Sequence, residues 1–207
     1  MANYRKFRTL LLCATVALAG CVGVRTFETS YDEPISAQVS RGWRVVDVAV
    51  SVPDSLTVSE EHSYEPDADI VWREDPLGDR HAQVGKIIEA AVLRGAQGLR
   101  GSRPVIIAIT VSRFHALTYE AELSSSDWGV HNIDFTAQVL DARTGEVLLP
   151  ATAIRAETPA WSGAKMKDAR RKGITQKSMI TNHVAATVAG WLGLGPDNRG
   201  SFNRQGN

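Results

Sequence analysis

The run Val105-Ile106-Ile107-Ala108-Ile109-Thr110-Val111 decides the fold. It is short for a helix, and all but one of its residues are β-branched, so it reads as a central strand. Upstream, Val84, Ile87, Ile88, Ala91 and Gly95 recur at helical spacing, with Arg80, Gln83, Lys86 and Glu89 on the polar back. A helix over Arg80 to Ala96 with one apolar stripe belongs on a sheet. Asp75-Pro76 and Asp79 are alternative starts for it, and Gly98 is a suitable stop. Further upstream, Val46, Val48, Val50 and Val52 alternate from Trp43 onward as the buried face of another strand. Pro53-Asp54-Ser55 makes a turn or bulge, Leu56 to Val58 resumes extended structure, Glu60 to Asp69 is an acidic loop, and Ile70-Val71-Trp72 adds a short edge strand.

Downstream, Ser124 to Asp127 and Gly129 mark a long hairpin connection, after which Ile133, Phe135, Ala137 and Val139 form one face of a strand. Asp141-Ala142-Arg143-Thr144-Gly145 is a tight turn by residue type. Glu146 to Ala156 returns antiparallel, with an edge or bulge at Pro150. Ile180, Val184, Val188 and Trp191 define a second helix ended by Gly193 and Gly195-Pro196. These elements predict an α+β fold, an antiparallel sheet of four to five strands with two helices packed on it in the order strand, helix, three strands, helix. Residues 42–195 form a single domain in this reading, and 196–207, without an apolar period, a disordered tail.

The N-terminus has a different grammar. Arg5, Lys6 and Arg8 precede an apolar run from Thr9 to Ala19, and Leu18-Ala19-Gly20-Cys21 follows. The apolar run is shorter than the roughly 20 residues that span a bilayer. The quartet resembles the lipobox of bacterial lipoproteins. That resemblance implies that 1–20 is a signal peptide, that Cys21 is the first mature residue, and that its sulfur carries a diacylglyceryl group which attaches the protein to a membrane. Val22, not Asp, after the cysteine implies sorting to the outer membrane on its periplasmic side, with the inner membrane as the alternative. Residues 21–41 are polar and weakly periodic, so they read as a tether reaching roughly 25 Å; Phe27, Tyr31 and Ile35 packed down on the domain are the alternative.

The signal segment holds three of the 23 basic residues and none of the 23 acidic ones, so the mature balance is −3. That gives no global reason to bind nucleic acid. Of the two cysteines, Cys13 lies in the signal segment and Cys21 is the lipidation site, which leaves none for a disulfide.

Catalytic and metal patterns are missing from the sequence. His62, His81, His115, His131 and His183 show no spacing that would place two imidazoles on one helical face, and a serine elbow and phosphate loop are absent. His115 and His131 flank one hairpin, a weak metal hint without a third ligand. Asp75 and Asp79 fit helix capping as well as a carboxylate pair. Catalytic residues, metal ligands and cofactors are therefore expected to be none. Lys165, Lys167, Arg170, Arg171 and Lys172 form the dense basic cluster, read either as a solvated loop or as contact with an acidic partner. With Trp72 and Trp161 as anchors near loops, these residues make the candidate partner surface.

The segment Trp72-Arg73-Glu74-Asp75-Pro76-Leu77-Gly78-Asp79-Arg80-His81, with His183 to Gly193, resembles an uncharacterised group of alphaproteobacterial lipoproteins. In architecture alone, the chain is similar to auxiliary lipoproteins of lipid-transport systems. Neither resemblance brings an activity; the missing catalytic constellation and a compact sheet-and-helix body on a tether favour a lipid-anchored periplasmic binding or scaffold protein with an envelope protein partner, an auxiliary component of an envelope or lipid-transport complex, and not an enzyme. An envelope hydrolase, with a site assembled from residues distant in sequence, is the alternative.

Overall fold

The computed structural model describes residues 26–125 and 129–202. Its elements are β1 (Phe27–Ser30), α1 (Ala37–Ser40), β2 (Trp43–Ser51), β3 (Ile70–Val71), α2 (Arg80–Gly95), β4 (Arg103–His115), α3 (Tyr119–Leu123), β5 (Val130–Asp141), β6 (Val147–Ala156), β7 (Thr158–Pro159), α4 (Gly163–Arg171), α5 (Gln176–Trp191) and β8 (Gly200–Phe202). The apolar run lies within β4, and Val105, Ile107, Ile109 and Val111 are buried. Around it the strand order is β2-β4-β5-β6-β1-β8, with β3 also on β4 and β7 on β5.

This overturns the expected architecture. The sheet has eight strands and is mixed, with five described helices rather than two. β2 and β3 run parallel to β4, while β5, β6, β1 and β8 pair antiparallel. The parallel pairing follows from the helix: a strand that leaves through α2 and returns beside itself has made a crossover, which brings it back in the same direction. The unforeseen strands β1, β7 and β8 have two to four residues, too few for alternation to show.

One face of the sheet carries the main helices. Val84, Ile87, Ile88 and Ala91 of α2 and Ile180, Val184, Val188 and Trp191 of α5 are buried in one core with Ile133, Phe135, Ala137 and Val139 of β5. Full burial of each large aliphatic side chain stabilises by about 1.5–3 kcal/mol. The helices touch at Gly95, where a Cβ would lie 2.6 Å from the Ala185 carbonyl oxygen. Asp79 starts α2, its carboxylate accepting the Ala82 amide at 3.0 Å.

Register shifts re-aim the strands, among them one in β2 and one in β6. Val45 pairs with Val105 but Asp47 with Ile106, so Val46 is the extra residue. It is 48 % exposed rather than in line with Val48. Pro150 and Ala151 together oppose Gln138, since Ala137 faces Thr152 and Val139 faces Leu149. Proline tolerates that position because a bulge demands no ladder hydrogen bond there.

Both ends of the described residues join the sheet. Of the segment 21–41 expected as a tether, Phe27–Ser30 is β1, and Phe27 stacks on Phe202 at 5.9 Å. The Tyr31 hydroxyl donates to Asp197 at 2.9 Å, and the Ile35 amide to the Trp191 carbonyl at 2.8 Å. Gly200–Phe202, within the expected tail, pairs with β1. The signal peptide, Cys21 and Val22 lie outside the described residues, as does 203–207. No described helix is long and apolar enough to cross a membrane.

Candidate functional site

The stretch Trp72 to His81 ties the helices to the sheet. Trp72, expected as an exposed anchor, is 1 % exposed and meets Phe114 edge-on at 5.7 Å. Its indole N–H donates to Asp75 at 2.9 Å, and Asp75 also accepts from the Lys177 ammonium at 2.8 Å. Burial opposes the charge on Asp75, yet the hydrogen bonds from Lys177 and Trp72 hold its pKa below the usual carboxylate value. The Glu74 carboxylate accepts the amides of Gln176 and Lys177, the first two residues of α5. Those amides have no partner within the helix, and a negative charge is favoured at that end. Arg170 bridges Glu74 at 2.8 Å and Glu122 at 2.7 Å, and its hydrogen bond to Glu122 raises its pKa.

A second bridge lies beside the first. Glu60 pairs with Arg73 and, at 2.7 Å, with Arg80, and the hydrogen bond from Arg80 keeps its pKa low. Arg80 is buried and also donates to the carbonyls of Asp75 and Pro76 and to the Gln83 side chain. Asp75 and Asp79, weighed above as a carboxylate pair, are thus an ion-pair partner and a helix cap.

The basic cluster is mostly α4, whose buried side chains are Met166 and Ala169, too few to show a helical period in the sequence. Lys165, Lys167, Arg171 and Lys172 are exposed, and Trp161 is half-buried. The Lys165 ammonium stands 4.7 Å from the Trp161 ring centre, and Arg171 pairs with Asp168. Arg170 belongs to the Glu74–Glu122 bridge, and Trp72 to the core.

The histidines do not converge. His115 is paired across the sheet with Asn132, not His131. Adjacent strand residues point to opposite faces, so His131 enters the core while His115 turns away from it. Burial drives the His131 pKa down to about 3. Neither of its ring nitrogens has a hydrogen bond of good geometry, and the nearby Gln176 side-chain oxygen is likewise unpartnered. His183 contacts the Thr29 hydroxyl at 3.0 Å, and His115 the Ala68 carbonyl; burial lowers both pKa values. Among the described residues, no three His, Cys, Asp or Glu side chains gather as a metal ion would need.

What remains open is a cavity of about 500 Å³ where β4 and β5 meet the loop 64–68. Tyr64, Asp67, Ala68, Arg113, His115 and Asn132 contribute to its walls. Arg113 makes no hydrogen bond or ion pair among the described residues, and the buried Asn132 side-chain oxygen has no partner. Sequence reasoning passed over Arg113 and Asn132. The available signal was a lone cation beside Phe114 near the end of a strongly apolar strand.

Fold and cavity define an α+β domain with a mixed sheet, helices on its core face and a cleft of mixed lining at the strand ends. Within that class, residues 43–207 match the model of a family of unknown function, DUF6778, and the chain belongs to that family. No curated protein matches it. The chain is similar to the solved protein XCC0632 of Xanthomonas campestris, of the DUF330 family, with 15 % identity over 78 % of this chain and 88 % of that one and a TM-score of 0.46. It is similar to the PelC dodecamer of Paraburkholderia phytofirmans, with 14 % identity over 78 % and 94 % and a TM-score of 0.35. A candidate lipoprotein of Caulobacter crescentus CB15 shares 12 % identity over 53 % and 82 %, with a TM-score of 0.28. Likenesses this loose carry no role over to the chain.

Proposed function

We propose that this protein is a lipid-anchored lipoprotein of the bacterial envelope that acts by binding rather than by catalysis. The anchor is Cys21, and its attachment to the periplasmic side of the outer membrane is the reading supported by Val22. The observation that carries the binding function is the cavity beside Arg113: neither Arg113 nor Asp67 on its wall makes a hydrogen bond or ion pair among the described residues. Polar groups left unsatisfied at the wall of a cavity cost free energy that a ligand restores. A partner from an envelope complex, a lipid-transport system among them, meets the exposed cations Lys165, Lys167, Arg171 and Lys172 beside Trp161. Lipid attachment confines the domain to a surface, so even a weak interface is occupied.

The anchor and the interface are tested together. Cys21→Ser should leave the protein unprocessed or release it from membranes; normal cleavage with continued membrane attachment would refute the anchor. Crosslinking in native membranes should capture an envelope protein, and Lys167→Glu with Arg171→Glu should reduce the capture. Undiminished capture by that variant would remove α4 as the partner surface. Arg170 is left intact because its charge holds the Glu74–Glu122 bridge.

A further inference from the structure

The cavity carries unpaired charge of both signs. Arg113 stands on β4, turned away from the buried Phe114, without a hydrogen bond or ion pair among the described residues. Asp67 faces the same cavity from the loop, exposed and also without such a partner. Asp69 and Asp134 lie near enough to feel the Arg113 charge, and Glu65 also lines the cavity. Asp69 accepts the amide and hydroxyl of Thr57 at 2.9 and 2.8 Å, and an Asp134 oxygen lies 3.7 Å from the Arg155 guanidinium. His115 lends no positive charge, because burial disfavours its protonation. Val71 and Leu117 supply apolar wall. The volume of about 500 Å³ is that of a small-molecule site.

A simple anion fits one wall only. It would meet Arg113 but also the free carboxylate of Asp67. A simple cation has the opposite defect, since Arg113 repels it. A ligand carrying both charges satisfies both walls. We propose that the cavity binds a small zwitterion of the α-amino acid class, with its carboxylate on Arg113, its ammonium toward Asp67, and its side chain against Val71 and Leu117. The proposal rests on the binding function above and names its ligand class.

Calorimetric titration of the full lipidated chain in detergent tests it, using L-alanine, L-leucine, L-phenylalanine, L-glutamate and L-lysine one at a time. At least one should bind saturably with a Kd below about 1 mM. Its N-acetyl and carboxamide derivatives should each bind at least about tenfold more weakly, as should the parent compound to Arg113→Met and to Asp67→Asn. Asp67 is exposed on a loop, so an unchanged melting temperature in Asp67→Asn separates lost binding from lost folding. No saturable heat with any of the five up to about 10 mM overturns the proposal. Equal binding of the blocked derivatives, or undiminished binding by either variant, overturns it as well. The anchor and crosslinking results do not use this cavity, so failure here is distinguishable from failure of the binding lipoprotein itself.

Discussion

His131 should make the protein sensitive to mild acid, and replacing it with leucine should remove that sensitivity. The side chain is fully buried on β5, with neither ring nitrogen hydrogen-bonded. Its pKa falls from 6.5 to about 3 on folding, chiefly through desolvation, with the Gln176 side chain opposing the shift and the His183 charge adding to it. The folded state therefore disfavours the proton that the unfolded chain accepts. Stability from this group is complete above the unfolded value of 6.5 and is lost as pH falls below it, levelling off near the folded value of about 3. Between about pH 7 and pH 5 the loss works out at about 2 kcal/mol. Urea unfolding of the wild type and of His131→Leu at both pH values measures it. His115 and His183 also favour the neutral form, but they do so in both proteins, so the difference in slope belongs to His131. At neutral pH the exchange should be near neutral, because it removes two unsatisfied buried nitrogens while leaving the Gln176 oxygen unpaired. Losses that agree between the two proteins within about 0.5 kcal/mol would refute the argument.

Four further outcomes test the packing. Ile107→Ala or Ile109→Ala should cost about 2–5 kcal/mol by chemical denaturation, since both side chains are buried between the sheet and its helices; near-unchanged midpoints would dismiss β4 as the central strand. Gly95→Ala should lower the melting temperature by an amount equivalent to about 1–3 kcal/mol, because the new Cβ collides with Ala185 and Val188. On the same helix, Gly85→Ala should stabilise by up to about 1 kcal/mol, as its Cβ meets Val52 at an ordinary 3.7 Å. Arg80→Met should destabilise by about 2–4 kcal/mol, and Arg80→Lys should recover little of it, because one ammonium cannot serve Glu60, two carbonyls and Gln83 at once.

Sequence by itself determined the long elements. β4, β5, β6, α2 and α5 are each long enough for their apolar period to repeat, and a repeated period states which face is buried before any partner is known. Local chemistry was partly legible where the bond is local: Asp79, one of two starts read for α2, caps it, and Pro150, read at an edge or bulge, sits at a bulge. Cys21 lies outside the described residues, and the lipobox remains a reading of sequence. Only the tertiary structure decided what depends on pairing between distant residues. β1 and β8 are a few residues each and meet across the whole length of the chain, so no window of sequence contains their pattern. The parallel arrangement of β2 and β4 reflects where the chain returns after α2, not what either strand is made of. Glu74 serves an N-terminus about a hundred residues away, and Trp72 was misplaced at the surface because an aromatic beside charges looks exposed until those charges find partners. The cavity was hidden for the same physical reason. Arg113, Asp67 and Asn132 come from three segments, and that Arg113 and Asp67 make no ion pair is a property of distance, which sequence does not record.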